Sequence, residues 1–182
     1  MKRIISIALG LLAVSAAAFA QADEAAIAKA VLAAPRNMKE GATVIKWKPD
    51  FTYETLRKGT NRLVCYDRSG QPGQQPFSVE CTSLGNLDRA AQNLKFEAIP
   101  DKKASLAAFD AAEKDGSRAK PEFGSVWYHL RGADAEHTNT HMTIAVPGAT
   151  AQSLGLPENN KTGVVWIMNP GTTTAHLMTP GE

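Results

Sequence analysis

The chain has 182 residues, 43% of them hydrophobic and 21% charged, with 20 Lys and Arg set against 18 Asp and Glu. That near balance excludes the strongly basic surface by which nucleic-acid-binding chains are recognised, and the length suits one domain with a single core. No internal repeat or low-complexity segment divides it.

The N-terminus carries Met1-Lys2-Arg3, an apolar stretch from Ile4 to Phe19, and two small-x-small cleavage sites, Ala18-Phe19-Ala20 and Ala20-Gln21-Ala22. This is the three-part layout of a secretory signal peptide, and the stretch is shorter than the roughly 20 apolar residues that a bilayer-spanning helix needs. The expected organisation is a leader over 1–22, cut after Ala20 or Ala22, then a single domain over 23–182, periplasmic or secreted and without stable membrane insertion after cleavage. Loss of Lys2 and Arg3 lowers the basic residues from 20 to 18, equal to the acidic ones, so the product is formally neutral and nucleic acid is not an expected partner. In an oxidising compartment the two cysteines, Cys65 and Cys81, are expected to pair. Such a bond closes a loop of about 15 residues and stabilises by about 3 kcal/mol in the chain-entropy model.

After the leader, Asp23 can cap a short surface helix in which Ile27, Ala30, Val31 and Ala34 share a face and Pro35 is the stop. Strands are expected over Ala42 to Trp47, Tyr53 to Arg57 and Arg62 to Tyr66, with Lys58-Gly59-Thr60-Asn61 as a hairpin turn in a small antiparallel meander. Ser69 to Pro76 reads as a loop. Leu84, Leu87, Ala91 and Leu94 recur at helical spacing, and a second helix carries Leu106 and Phe109 and ends at Gly116. The last third returns to strands: Ser125 to Arg131, Met142 to Val146, Val164 to Met168 and Ala175 to Met178. The uninterrupted apolarity of Val164 to Met168 suggests a central strand buried on both faces. Strands, then helices, then strands predict an α+β domain, mainly an antiparallel sheet with helices packed on one face and one disulfide.

Chemistry concentrates near the C-terminus, where all four histidines, His129, His137, His141 and His176, fall. The candidate catalytic set is Asp134, His141 and His176, with the carboxylate orienting a ring. His137, His141 and His176, with Asp134 as a further donor, form an alternative metal set, since imidazole and carboxylate suit zinc and similar ions. The Thr-Asn-Thr between His137 and His141 favours loop and strand over a helical His-x-x-x-His pair, so neither set is a recognisable motif. No Gly-x-Ser-x-Gly elbow or nucleotide-binding glycine loop is present, and no cofactor is expected. Ser117-Arg118-Ala119-Lys120 and Lys161-Thr162-Gly163 match two short motifs of the serine penicillin-recognising enzymes, but the third motif is missing and the match reads as accidental.

Three segments resemble a family of small exported bacterial proteins with no established activity. They are Leu56-Arg57-Lys58-Gly59-Thr60-Asn61 with Cys65 and Asp67; Tyr128-His129-Leu130-Arg131-Gly132-Ala133-Asp134-Ala135 with His141-Met142; and Trp166-Ile167-Met168-Asn169-Pro170-Gly171-Thr172 with Ala175-His176-Leu177-Met178. The resemblance implies export and a single domain, and it places His141 and His176, but not His129 or His137, at family-like positions. Together these readings lead to an exported domain, non-enzymatic, that binds a small molecule or an envelope component. The rival is a small hydrolase or metal-assisted enzyme using the C-terminal histidines.

Overall fold

The computed structural model describes residues 21–179, so the leader expected over 1–22 falls almost wholly outside the described residues. Eight strands form one sheet: β1 (Thr43–Trp47), β2 (Tyr53–Arg57), β3 (Leu63–Asp67), β4 (Phe77–Ser83), β5 (Val126–Gly132), β6 (Thr138–Ala145), β7 (Trp166–Met168) and β8 (His176–Met178). Their order is β2-β1-β3-β4-β5-β6-β8-β7. Helices occupy 21–30 (α1), Leu87–Glu97 (α2), Lys102–Asp115 (α3) and the single turn Ala151–Leu154 (α4). This is the α+β domain expected from the element order, with Cys65 and Cys81 joined. Among the described residues no helix is long and apolar enough to cross a membrane.

Alternation in β3 and β4 sorts two cores onto the two faces of the sheet. Leu63, Cys65 and Cys81 meet Ala30 and Ala34 from α1 and the turn that follows it. Val64 and Tyr66, on the opposite face, meet Ile45 from β1, with Ala90 and Leu87 of α2 and Trp127 of β5. Thus α2 covers one face, with α3 packed on it through Phe96 and Phe109, whose rings stand edge to face at 5.0 Å, while α1 covers the other. The first helix is the surface element expected, with most of its residues exposed, and its last residue, Ala30, 1% exposed, seats it against the sheet. Asp23 does not cap it, because residues 21 and 22 are already helical.

The expected antiparallel meander is also corrected. β1 and β2 form a hairpin, but β3 returns on the far side of β1 and pairs with it in parallel, Thr43 opposite Val64. The crossing is made by the segment that resembled a family motif. Thr60 and Asn61 donate backbone N–H groups to the Gly41 carbonyl, and the Arg57 guanidinium reaches the carbonyls of Lys39 and Ala42. This motif therefore clasps the entrance to β1, satisfying backbone acceptors that no ladder reaches.

β4 is a strand that the sequence reading did not assign, and its polar face Ser78, Glu80, Thr82 is fully buried. The expected central strand, β7, instead lies at the edge. Ile167 is buried, but Val164 and Met168 are exposed, so its apolar run is not covered on both faces.

Candidate functional site

Register brings four ionisable side chains into one row on the α2 face. Tyr66 pairs with Glu80, Glu80 with His129, and His129 with His141, so the row crosses β3, β4, β5 and β6. Adjacent strands stand close enough for directly opposed side chains to interact, which makes the row a unit of contact.

Glu80 is its centre. Its Oε1 lies 3.1 Å from His129 Nδ1, 3.3 Å from Arg131 Nη2 and 3.5 Å from Arg68 Nη1. Burial alone would raise the Glu80 carboxyl, but the hydrogen bond and charge of His129, together with Arg68 and Arg131, outweigh it and hold the group at about 2. Arg68, equally buried, also donates from Nη2 to Glu97 Oε2 at 2.5 Å and from Nε to Gln71 at 2.9 Å. Burial disfavours its charge, and the carboxylates of Glu80 and Glu97 more than restore it. Burial, with the Glu80 charge in second place, keeps the Tyr66 phenol well above its ordinary value and so neutral. The Tyr66 hydroxyl has no partner at hydrogen-bonding geometry.

His129 Nδ1 lies 2.6 Å from Arg131 Nη2 as well as close to Glu80. One ring nitrogen cannot accept from arginine and donate to the carboxylate together, so the neutral Nε2–H tautomer serves the first contact and an Nδ1–H serves the second. The ring stacks on Trp127 with 13° between planes and stands 5.7 Å from the His141 ring.

The helical wall is polar too. Arg89, Asn93 and Glu97 follow at four-residue steps along α2 and face the sheet across a cavity of about 310 Å³. Arg68, Arg131, His129, His141 and His176 line the same space. His176 comes from β8 and donates from Nδ1 to the Thr174 carbonyl at 2.7 Å, which assigns the ring proton to Nδ1 and leaves Nε2 as the other ring position.

Of the sequence candidates, His141 and His176 meet at this cavity and Asp134 does not. Asp134 sits in the exposed loop between β5 and β6, where its Oδ1 accepts from the backbone of Glu136 and His137, each at 2.9 Å, and from the His137 ring. These bonds depress its pKa and hold a turn. His137 shares that loop with a side chain 75% exposed, apart from the cavity. Among the described residues no group of three His, Cys, Asp or Glu side chains is placed to hold a metal ion.

The sequence candidates do not include Arg68, Glu80, Arg89, His129 or Arg131. A signal for Glu80 existed: Phe77, Val79 and Cys81 alternate with Ser78, Glu80 and Thr82, a period-2 pattern that marks a strand with Glu80 on its second face. No protein-family model, curated protein or solved structure matches the chain, so the site rests on its own geometry.

Proposed function

We propose that this chain is an exported, periplasmic or secreted binding domain that holds a small anionic molecule in the cleft between α2 and the sheet. One observation carries the reading. Three guanidinium groups, Arg68, Arg89 and Arg131, line the cavity against two carboxylates, Glu80 and Glu97, both of which are already paired with Arg68. The surplus is positive before any histidine takes up a proton. A cavity of this size lies at the lower end of the range of small-molecule sites, and its polar groups converge from four strands and a helix. Export is supported by the basic-apolar-small pattern of the first 22 residues and by a disulfide whose two cysteines are fully buried.

Isothermal titration of the purified chain with a panel of small carboxylates, phosphate and neutral analogues tests the reading. Saturable binding of anions with chemical-shift changes at His129, His141 or His176 is the expected result; no binding by any anion overturns it.

A second reading is favoured by the contact of Glu80 with His129. A carboxylate on Nδ1 of a ring that borders a cavity is the arrangement of a general acid–base catalyst, with His141 beside it. That reading requires hydrolysis of a small ester or amide that disappears in His129→Gln while the fold survives.

A further inference from the structure

Arg89 is 5% exposed, yet no carboxylate among the described residues lies within ion-pair distance of it. Its Nη1 donates to the Ala119 carbonyl at 2.7 Å and to Thr173 Oγ1 at 2.9 Å, and its Nη2 donates to Thr174 Oγ1 at 2.7 Å. All three acceptors are neutral. Glu113, whose charge acts on Arg89 without an ion pair, is linked to it through Thr173, whose Oγ1 donates to Glu113 Oε2 at 2.6 Å. A guanidinium has five N–H donors, so these bonds leave one on Nε and one on Nη2, the two nitrogens of a single edge of the fork. Burying a cation without a paired anion is costly, and native proteins rarely leave such a group uncompensated.

Arg89 borders both the 310 Å³ cavity and the adjoining space toward α3, which shares Asn93, Glu97 and Thr174 with it. The carboxylates of the first space are taken: Glu97 by Arg68 and Gln74, and Glu80 by Arg68, Arg131 and His129. Thr174 ties the far end together, accepting from Arg89 on its hydroxyl and from His176 on its carbonyl. Trp127 lines the space with an aromatic ring.

Resting on the binding function proposed above, we infer that Arg89 is the anchor of that site and grips the carboxylate of a small organic acid side-on through Nε–H and Nη2–H. Parallel bonds from one edge of arginine match the two coplanar oxygens of a carboxylate. The cavity has the volume of about ten waters at ~30 Å³ each, so the ligand has a body beyond its charged end, and Trp127 suits an aromatic or apolar one. Burial lowers the Arg89 pKa to about 10, with Glu113 opposing, which accords with a cation awaiting its counter-charge.

Benzoate, its uncharged isostere benzamide, and inorganic phosphate are the probes, titrated into the purified chain and followed by calorimetry and by the arginine Nε–H resonances. Benzoate is expected to bind at least about tenfold more tightly than benzamide and to shift the Arg89 Nε–H signal, and Arg89→Lys is expected to lose about tenfold or more of the benzoate affinity. The wild-type comparison needs no variant, so a failure of Arg89→Lys to fold does not spoil it. Benzoate binding that moves the cleft histidines but leaves the Arg89 signal unmoved, or equal binding of benzamide, overturns the anchor and leaves the cleft intact as a site. Tight binding of phosphate with none of benzoate overturns the organic-acid assignment, and silence from all three overturns both anchor and site.

Discussion

Glu80 on β4 and His129 on β5 are direct cross-strand partners, and the 3.1 Å between carboxylate and ring lies at the meeting point of two arginines, Arg68 and Arg131. Glu80 is 3% exposed, and Arg68, the His129 ring and the part-exposed Arg131 all meet this one buried anion, Arg68 sharing it with Glu97. Glu80→Gln keeps the shape and removes the charge, leaving Arg131 and His129 without a carboxylate while Arg68 retains Glu97. Breaking a buried pair by removing one partner costs about 3 kcal/mol or more, so a loss of that size in urea unfolding is expected. The half-exposed pair of Lys29 and Asp67 supplies the contrast: Asp67→Asn is expected to change stability by less than about 1 kcal/mol. Equal effects of the two substitutions would show that the Glu80 cluster carries no special share of the fold.

The same carboxylate sets an acid limit. Folded Glu80 titrates at about 2 against an ordinary 4.5, so it binds fewer protons folded than unfolded between those values. Its contribution is complete above about pH 4.5 and disappears as the pH falls towards 2, a change on the order of 3 kcal/mol. Urea midpoints measured from pH 6 down to pH 2.5 are expected to fall steeply in the wild type. In Glu80→Gln the slope is expected to be visibly shallower, the remainder coming from carboxylates such as Glu113 that are also depressed. Identical acid slopes in the two proteins would assign acid sensitivity elsewhere.

How much of this was legible in the sequence follows from the range over which each signal acts. Turn chemistry and helix spacing act over a few residues, so α2 and α3 were readable, as was the stop at Gly116, whose φ is 78°. Pairing partners act at a distance. Nothing near Arg62 to Tyr66 states that β3 crosses to pair in parallel with β1, and a hairpin was the simpler local reading. The site suffered most from this limit. Asp134 is a candidate because it stands near the histidines in sequence, whereas the carboxylate that serves His129 arrives from β4, 49 positions earlier, by register alone. Arg89 was hidden differently: on a helix read for its apolar face, a buried arginine looks like a solvent-facing one until the opposing sheet is known.

Two glycines in the family-like segments have a structural explanation. A Cβ on Gly132 would stand 1.7 Å from the His137 carbonyl oxygen, and one on Gly59 would stand 2.3 Å from the Gly41 oxygen and 2.4 Å from the Thr43 nitrogen. Each obstacle is backbone, so relief requires opening the β5–β6 turn or prising the crossing segment from β1. Gly132→Ala and Gly59→Ala are each expected to cost about 2 kcal/mol or more. At Gly85 the nearest obstacle is the end of the Glu122 side chain at 2.9 Å, which can swing aside, so Gly85→Ala is expected to cost far less. Thermal unfolding of the three variants separates the cases, and a Gly132→Ala protein that melts with the wild type would refute the close approach.

The remaining prediction concerns Cys65 and Cys81, which face each other across β3 and β4, 16 positions apart, with neither side chain exposed. A bond between directly paired strands does little to hold a native sheet that its ladder already holds, so its main effect is on the unfolded chain, whose freedom it restricts by about 3 kcal/mol for a loop of this length. Burial under Ala30 and Ala34 also bars reductant from the sulfurs unless the domain opens. Thiol titration of protein isolated from an oxidising compartment is therefore expected to find no free thiol, either folded or in denaturant, and two only when denaturant and reductant act together. Reductant alone at neutral pH is expected to act no faster than global unfolding. Two thiols released by denaturant without reductant would mean that the cysteines are unpaired, and fast reduction of the folded protein would mean that α1 leaves the sheet far more readily than its packing implies.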